Sequence, residues 1–274
     1  MKPFQERLAL HTWTLDTTPL PGVLRAAKGA AWNAVELRRV DFTRCFEAGM
    51  TNAQVLDLVR LSGLKAACLG TEYGLIFAKG AERDRLLKVL DETCANAISL
   101  GCNLVMTAPG QNEPGTLEEA AANFRAGGEI AKKHGVRFAL EFNSAHSVIN
   151  NLQSGAKVVE LADHPNCGLL LDAYHMERSG SGGRGFSAYP AERIFAFQYS
   201  DVPDGPRSAA NRPTDRLPPG NGTVRWREVF ELLGEKGYKG YLSYEAPNPD
   251  YWAKPPLEVA REAAEATRRL LADA

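Results

Sequence analysis

The sequence predicts an α/β protein folded as a single (β/α)8 barrel of the TIM type, residues 1–274, on three observations. Eight strand-like runs alternate with helix-like stretches from end to end. Their apolar residues are nearly continuous, as in parallel strands covered on both faces. The length of 274 residues suits eight β–α units, typically about 250 residues.

The strand candidates are Arg7–Leu15, Ala34–Val40, Leu64–Tyr73, Asn103–Gly110, Arg137–Asn143, Cys167–His175, Ile194–Val202 and Tyr238–Pro247. Among the helices, Thr51–Leu61 opens on a residue suited to an N-cap, and Ala81–Leu100 carries Leu86, Leu87, Leu90, Cys94, Ala97 and Ile98 at helical spacing before Gly101 stops it. The stretch from Thr116 to His134 begins T-L-E-E, a capping-box pattern, and ends at Gly135. Arg227–Lys236 also ends at a glycine, and Pro255–Leu271 starts with prolines suited to a first helical turn. A doubly wound open sheet is the rival architecture, but His11-Thr12-Trp13-Thr14 after the first strand has nothing of its glycine fingerprint.

Two segments stand apart. Arg178–Pro190 is glycine-rich, and Pro203–Gly222 carries five prolines together with Arg207, Arg212 and Arg216. Both are expected on the active-site side of the barrel, the second as a lid and the first as either a lid or plain flexible surface.

Composition narrows the function. With 44% hydrophobic and 24% charged residues and a net charge of −1, the chain reads as a globular protein without an electrostatic case for nucleic acid or anionic membrane. The opening MKPFQERLALHTW has no long apolar run after Lys2, so no signal peptide is expected. The five cysteines, Cys45, Cys68, Cys94, Cys102 and Cys167, form no C-x-x-C pair and point to reduced, buried thiols in the cytoplasm. Whether the chain forms a homo-oligomer stays open.

The chemistry concentrates in the second half. Four polar residues, Glu141, Asp172, Gln198 and Glu245, end four otherwise apolar runs, and in a barrel such positions read as functional. Singly, Glu141 fits a buried partner of an arginine, and Gln198 a hydrogen-bonding core residue. Together they offer only oxygen, which suits Mn²⁺ or Mg²⁺ ahead of Co²⁺ or Zn²⁺. His175, three residues past Asp172, fits a contact to substrate or an exposed loop position. His11 and Trp13 fit either the pocket wall or the core, and Glu36, Glu72 and Tyr73 end the second and third strands as supporting or substrate contacts.

The runs A-L-E-F (139–142), G-L-L-L-D-A-Y-H (168–175), Q-Y-S-D-V (198–202), D-R-L-P-P-G-N-G (215–222) and L-S-Y-E-A-P-N-P-D-Y-W (242–252) resemble the xylose-isomerase-like barrels, the sugar phosphate isomerase/epimerase group. Within it they resemble the inosose isomerases most, and also the tagatose/psicose 3-epimerases and hydroxypyruvate isomerases. The resemblance implies metal ligands at Glu141, Asp172, Gln198 and Glu245, and substrate contacts at His175 and Arg216. It implies an isomerase or epimerase of a small keto-sugar or keto-cyclitol, working by proton abstraction through a metal-stabilised enediolate. Glu141 and Glu245 would move the proton. The alternative is a dehydratase of the inosose or 3-dehydroshikimate type, with His175 as the acid. Many relatives have His where this chain has Gln198, which bears on metal preference and reaction. A DNA-repair nuclease of related fold is disfavoured by the few histidines and the neutral charge, and a catalytically silent binding subunit by the intact ligand set.

Overall fold

The computed structural model describes residues 2–110, 114–206 and 213–273. Eight parallel strands close into a barrel in sequential order: β1 (Leu8–His11), β2 (Ala34–Arg38), β3 (Lys65–Gly70), β4 (Leu104–Thr107), β5 (Arg137–Glu141), β6 (Cys167–Asp172), β7 (Ile194–Tyr199) and β8 (Leu242–Tyr244). All eight predicted strands are present, each shorter than its apolar run. The runs overshoot because chain leaving a barrel strand stays buried while it turns. Thr12–Leu15, predicted as strand, is a single 3₁₀ turn with Thr12, Thr14 and Leu15 buried. Trp13 therefore stands on the turn above β1 rather than on the strand.

The predicted helices appear as Asn52–Leu61, Gly80–Ser99, Leu117–His134, Trp226–Glu235 and Pro256–Asp273. The capping boxes of Thr51 with Gln54 and of Thr116 with Glu119 are formed. Among the described residues, three further helices of nine or more residues, Leu20–Gly29, Arg39–Glu47 and Leu152–Ala162, escaped the sequence reading. The first holds Pro21, Gly22 and Gly29, and the second mixes four charged residues with β-branched ones. Packing of their apolar faces on the barrel overrides that weak propensity.

One placement is corrected. Arg178–Pro190 starts beside the active-site loops, where Arg178 Nη2 lies 3.0 Å from Asp215 Oδ2, but does not stay there. A short helix, Ala173–Arg178, follows β6, and the glycine-rich stretch is the returning leg on the outside of the barrel. Phe186 is buried against Phe197, Arg184 pairs with Glu235, and Lys236 Nζ donates to the carbonyls of Ser187 and Tyr189.

Glycines let the helix Leu117–His134 lie close on the sheet. A Cβ at Gly127 would stand 2.4 Å from a ring carbon of Phe138, which is fully buried in β5. We expect Gly127→Ala to lower stability by about 1–3 kcal/mol, the usual penalty of overpacking, partly offset by alanine's better helix propensity. A urea melt checks this, and an unchanged midpoint would show that the ring yields.

Candidate active site

The carboxyl ends of β5 to β8 carry the four predicted residues, and the ligand atoms of Glu141 and Asp172 come together there with His175. Glu141 and Asp172 are the last residues of their strands, Gln198 the last but one, and Glu245 the first beyond β8. Asp172 and Gln198 are register partners. All four are buried.

Local structure aims each of them. Asp172 caps the helix that follows it, Oδ1 accepting from the Tyr174 amide at 2.8 Å. The Thr14 hydroxyl brackets Glu245, donating to the Tyr244 carbonyl at 3.1 Å and accepting from the Ala246 amide at 3.0 Å. His11 Nδ1 accepts from the Trp13 amide at 3.1 Å, so its proton sits on Nε2, 3.2 Å from Glu245 Oε1. Burial, then Arg38 and Arg216, holds His11 well below the usual histidine range, so it donates as a neutral ring. Gln198 Nε2 donates to Glu36 Oε1 at 2.9 Å.

Arg216 is fully buried and spans the site. Its Nη1 lies 2.6 Å from Asp172 Oδ2, 3.1 Å from Glu245 Oε2 and 3.1 Å from the Glu245 carbonyl. Its Nη2 lies 3.2 Å from His175 Nε2, and the guanidinium covers the Tyr174 ring. The loop bearing Arg216 is pinned by paired backbone bonds between Asp201 and Leu217 and by the Asp201 carboxylate, which accepts from the Gly220 and Val224 amides and the Trp226 indole. The end of the predicted lid is thus a fixed part of the site. Its centre, including Arg207 and Arg212, lies outside the described residues.

His175 is buried rather than an exposed loop residue. Its Nδ1 faces the Ser144 hydroxyl at 2.9 Å, and its Nε2 stands 3.6 Å from Glu141 Oε1. Trp13 and Tyr73 line the cavity above the site, about 1500 Å³ in volume, with Glu141, His175, Arg216 and Glu245. Glu72 lines it too, tied to Arg85. Glu36 is a buried partner of Gln198 rather than a cavity residue. Sequence reasoning missed Thr14, Asp201 and the closeness of His11 to Glu245. Their partners lie far along the chain, apart from β1 and β8 being expected neighbours in a closed barrel.

The electrostatics are those of crowded carboxylates. Burial, then Glu245 and Asp172, pushes Glu141 well above the carboxylate range. Burial outweighs Arg216 at Glu245 and pushes it up to about 8. At Asp172 the order reverses: burial pushes up, but Arg216 and His175 hold it below the ordinary value. Two buried oxygens, Glu141 Oε1 and Gln198 Oε1, have no hydrogen-bond partner among the described residues, and such orphans call for an explanation. Donor atoms of Glu141, Asp172 and His175 lie within 4.8 Å of one another, so the residues present fit a divalent cation.

The chain is 31% identical over 140 residues to the inosose isomerase of Halalkalibacterium halodurans, 51% of this chain and 49% of that one. It is 24% identical over 268 residues to that of Bacillus velezensis, 92% and 93% of the two chains. Other curated relatives are named 3-dehydroshikimate dehydratase and D-psicose 3-epimerase. The crystal structure of the IolI protein with a bound zinc atom superposes with a TM-score of 0.87 at 19% identity, over 97% of this chain and 98% of that one. The model of the xylose isomerase-like TIM barrel matches residues 24–270, nearly the whole barrel described above, and the chain belongs to that family.

Proposed function

We propose that the protein is a divalent-metal-dependent isomerase or epimerase of a small keto-sugar or keto-cyclitol. The observation that carries this is the pair of buried oxygens without a hydrogen bond among the described residues, Glu141 Oε1 and Gln198 Oε1, on β5 and β7 in a run of strands whose ends also carry Asp172 and Glu245. Glu141, Asp172, Gln198 and Glu245 would hold the ion, with His175 near enough to Glu141 and Asp172 to join. Mn²⁺ and Mg²⁺ suit the oxygen-rich set, and Co²⁺ or Zn²⁺ would be drawn by His175. A bound ion would polarise the substrate carbonyl and offset the charge that develops on its oxygen.

The protein's own groups do the rest. Glu141 and Glu245 face the same cavity from β5 and β8, and their raised affinity for protons suits carboxylates that remove and return one at neighbouring carbons. Arg216 and His175 supply polar contacts to substrate oxygens. Trp13 and Tyr73 provide walls that shed water. Five buried, unpaired thiols support the cytoplasm as the place of work. Among the described residues no helix is long and apolar enough to cross a membrane.

The test is proton exchange in D₂O on inosose, ketohexoses and 3-dehydroshikimate, with chelated and Mn²⁺- or Mg²⁺-loaded protein. Metal-dependent exchange at the carbon beside the carbonyl, with an isomer or epimer as product, is expected. Exchange followed by loss of water would make it the family's dehydratase. No exchange, together with no thermal shift on adding metal, would remove the catalytic reading. At a metal concentration about a hundred times Kd, stabilisation of about 2.7 kcal/mol is expected, some 5 °C in a chain of this size.

A further inference from the structure

We propose that Glu36 is the positioning residue that decides which end of the Gln198 amide faces the metal site, an inference that rests on the reading above. A glutamine in a ligand set carries a weakness that a carboxylate lacks. Its two ends are nearly alike in shape, but only the oxygen can coordinate, and the NH₂ end repels a cation. Something must hold the amide in the useful orientation.

In this chain Glu36 is placed to do so. It comes from β2, across the barrel from β7, and is 2% exposed, while Gln198 is fully buried. Gln198 Nε2 donates to Glu36 Oε1 at 2.9 Å, and the opposite atom, Gln198 Oε1, is left buried without a hydrogen bond. The Glu36 oxygen accepts in this bond, so the NH₂ end of Gln198 is the one turned toward it. Glu36 is itself held: it is in register with His11 on one side and Cys68 on the other, and Gln198 is in register with Ser243. A core glutamine satisfied for packing alone would bond at both ends. Among the described residues this one bonds at its NH₂ end alone.

The test measures Mn²⁺ binding directly by calorimetry, with no substrate. Glu36→Leu removes the acceptor and is expected to weaken Mn²⁺ binding about 10–100-fold, the usual cost of losing such outer support. Glu36→Gln, whose carbonyl can still accept from Gln198, is expected to stay within about threefold of the parent. In a Gln198→Leu background, Glu36→Leu should then have no further effect, since the two act as a unit. If Glu36→Leu does not fold, Glu36→Met carries the same arm. Unchanged affinity in either apolar variant would overturn the inference and leave the metal site standing, as would an equal loss with and without Gln198. A parent protein that binds no Mn²⁺ would sink the functional reading itself.

Discussion

Glu141→Gln is expected to slow turnover about a thousandfold, within the 10²–10⁴ range of a lost general base, while the barrel stays folded. The substitution keeps the shape of the side chain and one coordinating oxygen but removes a charge and the ability to take a proton. Folding should not suffer, because burial and the neighbouring Glu245 and Asp172 already make charge at Glu141 unfavourable. The pH dependence follows. A carboxyl whose folded pKa is raised contributes stability that is present below its unfolded value and lost as pH rises through the folded value. With Glu36 raised to about 7 and Glu245 to about 8, both chiefly by burial, the metal-free parent should lose stability from about pH 4.5 up to about 8, and Glu141→Gln should lose less. Saturating metal should flatten that slope, since ions bind the deprotonated carboxylates. Urea melts at pH 5.5 and 8, with and without chelator, give the stability arm. Retention of more than a tenth of parental turnover at saturating metal would exclude Glu141 as the base.

The strand ends were legible because of what surrounds them. In β6 three leucines precede Asp172, and in β5 Phe-Ala-Leu precedes Glu141. A strand buried on both faces has no routine use for a carboxylate, so each stands out without any knowledge of the fold. Glu36 sits just as deep, but within Ala-Val-Glu-Leu-Arg, where a charged neighbour blurs the signal. Its partner Gln198 is 162 positions away. Polar pairs across a barrel leave no local pattern, and for the same reason the staple from Thr14 to the chain around Glu245 was invisible. Arg178–Pro190 was misplaced for a different reason. Its composition announces irregular chain, but only the brevity of the helix Ala173–Arg178 puts it on the outer wall. The identification of Glu141, Asp172, Gln198 and Glu245 as ligands, and of Arg216, His175 and Trp13 as substrate contacts, remains the proposal that the variants test.

Arg216→Leu is expected to be the most damaging single change to stability, costing about 3–5 kcal/mol at neutral pH in the metal-free protein, the usual result of stranding a buried charge. The guanidinium is the cation that compensates Asp172 and Glu245 at 2.6 and 3.1 Å, all three groups being buried. Without it Asp172 is left as a buried charge that has lost its cation. Asp172, held below its ordinary value chiefly by Arg216 against the pull of burial, contributes stability present above its unfolded pKa and lost as pH falls through the folded one. The deficit of the variant should therefore be greatest near pH 7 and shrink as pH falls below the ordinary aspartate value of 3.8, where the parent loses the same term. Arg216→Lys should recover only part of it. A compact ammonium cannot reach Asp172, Glu245 and His175 at once as the planar fork does. A divalent cation offers a sharper discrimination. If it shares these carboxylates with Arg216, adding Mn²⁺ should recover more stability in Arg216→Leu than in the parent, because the ion then supplies the missing positive charge. Urea melts of parent and variant with and without Mn²⁺ measure that difference. An equal gain in both would mean that ion and guanidinium act independently, and a deficit that does not shrink in acid would mean that Arg216 holds the loop by packing on Tyr174 rather than by its charge.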